Sequence, residues 1–103
     1  MAEQFEYRFE WDPMKAAKNA SEHGVTFEQA ATVFLDARLM SRSDEDNEPE
    51  EERWLSIGLD KSVRLVVVCH TYRDETAQGA TIRIFSARKA TWRETKDYER
   101  RKP

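Results

Sequence analysis

The sequence predicts a single α+β domain, with helices grouped near the start of the chain and strands grouped after them. Three observations support this fold class: an alternating apolar segment at the N-terminus, two capped helical segments directly after it, and three β-rich segments separated by short turn sequences. Strands joined by short turns pair antiparallel, whereas a parallel nucleotide-binding sheet needs a helix between successive strands. The length of 103 residues suits one core, so we assign residues 1–103 to one domain.

The first strand and the first helix are marked by alternation and by capping residues. Residues 5–11 alternate strictly, which places four aromatic side chains on one face of a strand and three charged ones on the other. Asp12 is then a suitable N-cap, with Pro13 at the first helical position. We expect this helix to run to about His23, because Gly24 supplies a left-handed stop.

The second helix is predicted from a capping-box spacing. Thr26 is followed three residues later by Gln29, apolar residues then repeat at helical intervals, and Asp36 is the expected end. A short strand is expected at 38–41. In the next segment, residues 44–52, seven of nine residues are acidic, which favours a solvated loop.

The second half of the chain predicts an antiparallel meander and a final helix. Residues 54–59, 64–72 and 80–86 are rich in β-branched and aromatic residues and are separated by turn-forming sequences. The sheet should therefore contain three to four antiparallel strands. Thr91 and Glu94 form another capping-box spacing, which predicts a C-terminal helix.

Composition and charge narrow the range of function. The N-terminus carries acids where a signal peptide needs basic residues, and eighteen successive apolar residues occur nowhere, so we expect a cytoplasmic protein without a membrane segment. Residues 1–60 carry six Lys/Arg and fifteen Asp/Glu, whereas residues 61–103 carry eleven and five. The basic second half could face an anion, although the two halves could also neutralise each other.

Neither a cofactor nor a metal is indicated by the sequence. It contains no G-x-G-x-x-G or P-loop pattern, and its two histidines lie on separate predicted elements without a ligand motif around them. The lone Cys69 lies in an apolar stretch, where a buried, inert thiol is expected rather than a nucleophile.

A histidine and a tyrosine are the first candidates for proton transfer. His70 and Tyr72 are two residues apart in a predicted strand, so their side chains should share one face near its end. Either group could exchange a proton with a substrate, and a structural His–Tyr pair is the alternative.

Cationic side chains are the candidates for phosphate binding. Arg83 lies among apolar residues and must find an anion, whether a carboxylate or a phosphate. Arg88 and Lys89 precede the last helix, whose N-terminus would favour the same anion, although salt bridges could also account for them. Arg53 begins a strand beside Trp54 and is a plausible phosphate contact.

Three polar residues also share one face of the first helix. Lys15, Asn19 and His23 are spaced by four residues. The stripe could line a site, but an exposed face in which His23 stabilises the helix C-terminus is the favoured interpretation.

Several short motifs in a fixed order resemble those of the BrnT family of type II toxins, which belongs with the RelE-like ribonucleases. They cover nearly the whole chain and comprise Phe9-Glu10-Trp11-Asp12-Pro13 with Lys15 and Asn19, His23-Gly24-Val25-Thr26-Phe27 with Ala30, Phe34-Leu35-Asp36, Glu52-Arg53-Trp54 with Ile57-Gly58, and 82–90 with Glu94 and Tyr98.

The resemblance implies a RelE-like α+β toxin that cuts RNA and slows translation and growth. It also implies a BrnA-like ribbon-helix-helix antitoxin that covers the active face, and operator DNA bound only through that antitoxin. The RNA 2′-hydroxyl would attack the adjacent phosphorus without a metal, leaving a 2′,3′-cyclic phosphate.

The expected roles in this chemistry fall into three sets. Arg83 and Arg88 would stabilise the phosphorane, and His70 or Tyr72 would exchange protons with the 2′-oxygen and the 5′-oxygen. Substrate placement would involve Arg53, Lys89 and Tyr98.

Two other functions remain open from the residues alone. One is a non-catalytic module that binds nucleic acid or an acidic partner through the basic half of the chain. The other is a housekeeping ribonuclease without an antitoxin.

Overall fold

In the part of the chain that the structure describes, the fold is a five-stranded mixed sheet with three α-helices. The structure is a computed structural model that describes residues 5–44 and 52–101, and the acidic residues 45–51 of the predicted loop lie outside the described part. The elements in chain order are β1 (Glu6–Glu10), α1 (Pro13–His23), α2 (Phe27–Ala31), a 3-10 helix (Thr32–Leu35), β2 (Met40–Ser43), β3 (Trp54–Leu59), β4 (Leu65–Thr76), β5 (Gly79–Lys89) and α3 (Trp92–Arg100).

The sheet has one strand more than the sequence predicted, and it is not purely antiparallel. Its strand order is β1-β5-β4-β3-β2. Strands β2 to β5 form the expected antiparallel meander, but β1 joins as a fifth strand, parallel to β5. Gly79 permits this approach, because a Cβ atom there would lie 2.0 Å from the carbonyl oxygen of Glu6. The N-terminal strand therefore belongs to the sheet itself.

The predicted helix ends are confirmed. The side chain of Asp12 accepts a hydrogen bond from the backbone N–H of Met14 at 2.8 Å, and Gly24 ends α1 with a φ of 69°. Both predicted capping boxes, Thr26 with Gln29 and Thr91 with Glu94, are formed. These caps satisfy backbone N–H groups that the first helical turn leaves without partners.

The second helix is shorter than predicted, although Asp36 still ends the helical segment. The α-helix stops at Ala31 and continues as a 3-10 helix. Thr32 lies where the α-helix changes to the 3-10 helix. Its hydroxyl donates to the carbonyl oxygen of Gln29 at 2.6 Å and accepts from the N–H of Lys61 at 2.8 Å. A threonine that bonds to the preceding turn in this way disturbs regular α-helical geometry.

The hairpin of β4 and β5 is longer than the predicted strands. Only Ala77 and Gln78 separate the two strands, whereas a turn of seven residues was expected at 73–79. The pairing is irregular at two places, one of them between Arg73 and Thr76. Pairing across the sheet thus extends strand structure into a sequence whose local composition favours a turn.

The hydrophobic core lies between the sheet and the helices α1 and α2. Its residues come from the α2 segment and from alternate positions of β4 and β5; they are Val25, Phe27, Ala30, Val33, Phe34, Val66, Val68, Ile82, Ile84 and Ala87. The intervening residues of the strands point to the other side of the sheet, where α3 lies over β2 to β4. We call that second side the open face.

The edge of β5 beyond the end of β1 is covered by one side chain. The amide nitrogen of Asn19 donates to the carbonyl oxygens of Ala87 at 2.8 Å and Val25 at 2.9 Å, and its oxygen accepts from the N–H of Ala87 at 3.1 Å. Asn19 therefore supplies the bonds that a neighbouring strand would make, and it fixes α1 against the sheet.

Candidate active site

The predicted neighbours His70 and Tyr72 are confirmed to lie side by side, but on the core side of the sheet. Their ring centroids are 4.9 Å apart, and the ring of Phe34 lies 4.9 Å from that of His70. His70 is fully buried, and its Nε2 forms a 2.6 Å hydrogen bond with the hydroxyl of Ser56, which is bonded in turn to Ser41. The histidine is thus part of a polar chain inside the protein.

This burial argues against the expected role of His70 in proton transfer to a substrate. Because burial disfavours the charged imidazolium, the pKa of His70 falls from 6.5 to about 4. Tyr72 lies on the same side and packs its ring edge against Trp54, with the centroids 5.7 Å apart. Both rings are therefore separated by the sheet from Arg83 and Arg88.

The open face carries a cluster of cations around one aromatic ring. The charged groups of Arg53, Arg83 and Lys15 lie 4.2, 5.9 and 5.4 Å from the ring centroid of Phe85. We call these four residues the cation cluster. Three different elements bring them together, because Arg53 precedes β3, Arg83 and Phe85 belong to β5, and Lys15 reaches the ring from α1. Like charges gathered in this way favour a bound anion.

A β-bulge explains the position of Phe85. The register of β4 and β5 shifts so that Cys69 pairs with Ser86 while His70 pairs with Ile84, and Phe85 has no partner residue on β4. Such a bulge redirects a side chain relative to regular alternation. The ring is half-buried and serves as the surface around which the three cations gather.

A carboxylate lies beside the cation cluster. Oε1 of Glu10 is 3.6 Å from the guanidinium of Arg83 and 3.5 Å from that of Arg73. This contact confirms the prediction that Arg83 pairs with an anion, which here is the carboxylate of Glu10. Glu10 and Arg83 are register partners in β1 and β5, so the parallel pairing of the N-terminal strand places the acid there.

Cys69 lies on the open face next to this site without the properties of a nucleophile. The thiol is half-buried, and burial raises its pKa above the ordinary value, although the nearby Arg53 acts in the opposite direction. A thiol with a raised pKa is protonated at neutral pH and is a weak nucleophile. The direction of this pKa agrees with the predicted inert thiol, while the predicted burial is only partial.

The expected phosphate site at the start of α3 is filled by the protein's own carboxylate. Glu94 accepts hydrogen bonds from both terminal nitrogens of Arg88, at 2.7 and 3.0 Å, and from the N–H of Thr91 at 2.8 Å. The hydrogen bond from Arg88 lowers the pKa of Glu94 to about 2. Lys89 pairs with Val66, which puts it on the core side of the sheet at the strand end. The two cations do not combine into an open anion site.

Tyr98 is buried in α3, and its contacts favour a structural role over the expected contact with substrate. It is 5% exposed, and its hydroxyl donates to Oδ2 of Asp36 at 2.5 Å. The same carboxylate oxygen accepts from the N–H of Leu59, and Arg38 lies over the tyrosine ring at 5.2 Å. These contacts hold the C-terminal half of α3 against the loop before β2.

An apolar groove lies between α3 and the open face. It has a volume of about 350 Å³. Met40, Leu55, Ile57 and Val67 provide its apolar part, and its charged lining residues are Arg42, Arg93, Glu94 and Asp97. The groove and the cation cluster lie on the same side of the sheet.

Of the predicted site residues, the structure brings Arg53 and Arg83 together on the open face and His70 and Tyr72 together on the core side, while Arg88, Lys89 and Tyr98 lie apart from both pairs. Sequence reasoning missed the roles of Glu10 and Phe85 and favoured a structural role for the stripe that contains Lys15. The alternation in β1 placed Glu10 on the face of the strand that does not carry the aromatic residues, and this pattern could have indicated that Glu10 points away from the core. The bulge at Phe85 had no local signal, because it depends on pairing with β4.

Fold and site together define a small α+β protein that presents a cation cluster and a carboxylate on one sheet face, an arrangement suited to a phosphate-containing ligand. The family model described as "Ribonuclease toxin, BrnT, of type II toxin-antitoxin system" matches residues 11–94. The chain therefore belongs to the BrnT family of ribonuclease toxins, and this membership implies an antitoxin partner.

A solved structure supports the fold. The 1.1 Å crystal structure of the Brucella abortus ribonuclease toxin BrnT matches with a TM-score of 0.56 and 18% sequence identity, covering 84% of this chain and 99% of that chain. Comparison with curated protein sequences gave no match. Within the described residues, no helix is long and apolar enough to cross a membrane. The same residues contain no group of three His, Cys, Asp or Glu that could hold a metal ion.

Proposed function

We propose that the chain is a metal-independent endoribonuclease whose active site is the cation cluster together with Glu10. The observation that carries this proposal is the convergence of three cations and one carboxylate on the open face. Cleavage of RNA by its own 2′-hydroxyl needs positive charge around the phosphorane, a proton acceptor and a proton donor, but no protein nucleophile. The site contains groups for all three tasks.

The proposed reaction assigns one role to each group. The 2′-oxygen bonds to the adjacent phosphorus while its proton passes to the carboxylate of Glu10. The bond from phosphorus to the 5′-oxygen breaks, and that oxygen takes a proton from the ammonium of Lys15. Arg83 and Arg53 stabilise the charge on the non-bridging oxygens. The products are a 2′,3′-cyclic phosphate and a 5′-hydroxyl.

Glu10 replaces His70 and Tyr72 as the proposed proton acceptor because of its position. Its side chain is 42% exposed and lies 3.6 Å from Arg83, whereas His70 has no exposed surface. Arg88 lies on the same face but is held by Glu94, so it contributes positive charge at a distance rather than an open donor. His70 keeps a structural role inside the core.

The biological setting follows the family. We propose a cytoplasmic, RelE-like toxin that slows translation and is neutralised by a BrnA-like ribbon-helix-helix antitoxin, with operator DNA bound only through that antitoxin. The antitoxin would act by covering the open face, where the cation cluster and the groove lie together.

The test is cleavage of labelled single-stranded RNA in EDTA. Lys15→Ala and Arg83→Ala should each lose roughly a hundredfold to a thousandfold in rate, since each removes charge that meets the transition state. Glu10→Gln should lose a comparable factor, because the amide cannot accept the proton of the 2′-hydroxyl. Lys18→Ala is the matched control, because Lys18 lies on the same helix in a surface ion pair 3.7 Å from Glu22.

Three outcomes would contradict this function. Loss of all cleavage in EDTA would refute metal independence, and unchanged cleavage by folded Arg83→Ala would refute the assigned site. A folded wild type that binds RNA without cutting it would instead identify a non-catalytic binding module. Such a module would lose affinity gradually with each cation removed.

A further inference from the structure

A second surface that combines an exposed aromatic ring with cations lies on α3. Trp92 is 74% exposed although it belongs to a well-formed helix. Lys96 and Arg100 follow at intervals of four residues, so the three side chains form one stripe. Together with Arg93 and Asp97 they line a shallow depression of about 450 Å³. We call these five residues the α3 basic face.

The packing of α3 does not use this face. The helix is held by Tyr98, which contacts Asp36, and by Glu94, which binds Arg88. Neither contact involves Trp92. The exposed indole is therefore free to stack on a ligand, and its burial by that ligand would be favourable.

The charges around the ring are available to an anion. Lys96 lies 5.6 Å from the ring centroid of Trp92 and only 3.5 Å from Glu99, in a pair that is largely exposed. Across residues 5–44 and 52–101, neither Arg93 nor Arg100 has an ion-pair partner. One cation thus lies over the aromatic ring, and Arg93 and Arg100 line the same depression.

We propose that the α3 basic face is an RNA-binding exosite, separate from the cation cluster. Trp92 stacks on one unpaired base, while Arg93, Lys96 and Arg100 hold the flanking phosphates. Single-stranded RNA is bound elsewhere by this combination of an aromatic platform and a cationic track. A protein partner would instead favour a contiguous apolar patch, and here the apolar element is one ring among charges. The inference rests on the proposed function, because it takes RNA as the substrate.

The distance between the two sites predicts a dependence on RNA length. Arg83 and Arg88 lie on one strand and are separated by about 15 Å at the usual rise per residue. Glu94, in the first turn of α3, binds Arg88, so the start of α3 lies at the Arg88 end of this stretch of β5. A long RNA can therefore contact both sites at once, whereas we expect a trinucleotide bound at the cation cluster to leave Trp92 uncontacted.

The experiment compares two substrates and three variants. Trp92→Ala should raise KM roughly fivefold to a hundredfold for a single-stranded RNA of about twenty nucleotides, since stacking on one ring is worth that much. The kcat for this RNA, and all parameters for a trinucleotide, should not change. Trp92→Phe should restore most of the affinity. Leu35→Ala is the matched control, because Leu35 is 84% exposed and lies in another element.

Each result decides a different point. If the wild type cuts both RNAs and Trp92→Ala leaves both KM values unchanged, the exosite is refuted and the proposed ribonuclease stands. Equal losses on long and short RNA would also refute it, since they would indicate damage to the catalytic site. If the folded wild type neither binds nor cuts RNA, both proposals fail. If Trp92→Ala loses only its binding to the cognate antitoxin, the α3 basic face is a protein-docking surface and not an RNA exosite.

Discussion

At the scale of single residues, His70 shows that chemical type alone does not make a catalytic group. Its strand position and its tyrosine neighbour followed from alternation, and both are confirmed. The side of the sheet that it faces depends on which strands pair and which helices cover them. The same limit applies to Glu10, whose partner Arg83 is distant in the chain.

The buried histidine makes stability depend on pH. The pKa of His70 in the folded state is about 4, below the ordinary 6.5. Between these two pH values the imidazole is protonated in the unfolded chain and neutral in the folded chain. The stability of the wild type should therefore fall between pH 6.5 and pH 4, and by about 3 kcal/mol in total from this residue. Urea unfolding of wild type and His70→Gln across this range would measure the effect. If the free energy of unfolding depends on pH in the same way in both proteins, the assignment to His70 is contradicted.

At the scale of secondary-structure elements, α3 is positioned by side chains near its two ends. Its C-terminal half depends on Tyr98 and Asp36, and its first turn on Glu94 and Arg88. These contacts leave a groove beneath the helix. They also occupy the side chains of Arg88 and Tyr98, which the sequence predicted to contact substrate.

Removal of the tyrosine hydroxyl separates the two roles of Tyr98. Tyr98→Phe should lower the free energy of unfolding by roughly 1–2 kcal/mol, because Asp36 loses a buried donor. Cleavage of RNA per folded molecule should not change. Thermal unfolding and steady-state cleavage of the same preparation would check both expectations. A fall in cleavage without a fall in stability would restore the substrate contact first predicted for this residue.

The attachment of α1 to the sheet can be tested at Asn19. Asn19→Ala leaves the N–H and C=O of Ala87 without partners, and it should destabilise the protein by roughly 2–3 kcal/mol. Because Lys15 reaches Phe85 from the same helix, the variant should also cleave RNA more slowly at a temperature where it is folded. Denaturant unfolding and cleavage would be compared with Lys18→Ala. Wild-type values for both quantities would contradict the role of the asparagine.

At the scale of the whole molecule, local signals predicted the order of elements and long-range pairing decided the site. Caps such as Asp12 and Gly24 act within a few residues, so the sequence alone predicts them. The parallel pairing of β1 and the bulge at Phe85 depend on residues far apart in the chain, and no local pattern encodes them. The family resemblance supplied the function class that composition could not.

The uneven distribution of charge predicts the salt dependence of RNA binding. The chain has a net charge of −3, yet the cation cluster contains three cations on one face. If the scissile phosphate and its two neighbours are neutralised at the cation cluster, the logarithm of the affinity for a short RNA should fall with the logarithm of salt concentration with a slope of about −2. Lys15→Ala should make this slope shallower by about 0.7. An unchanged slope in a salt titration would exclude a phosphate contact by Lys15.

The parallel pairing of β1 with β5 also bears on how the protein is synthesised. Glu10 is synthesised well before its partner strand β5. Contacts between distant segments close late in folding, because the intervening chain must first be ordered. The carboxylate and Arg83 thus meet only after β5 has emerged from the ribosome, and a nascent chain stalled before Gly79 should be inactive. Limited protease digestion of such stalled chains would test this. If β1 is still accessible to the protease, the toxin stays inactive during its own synthesis.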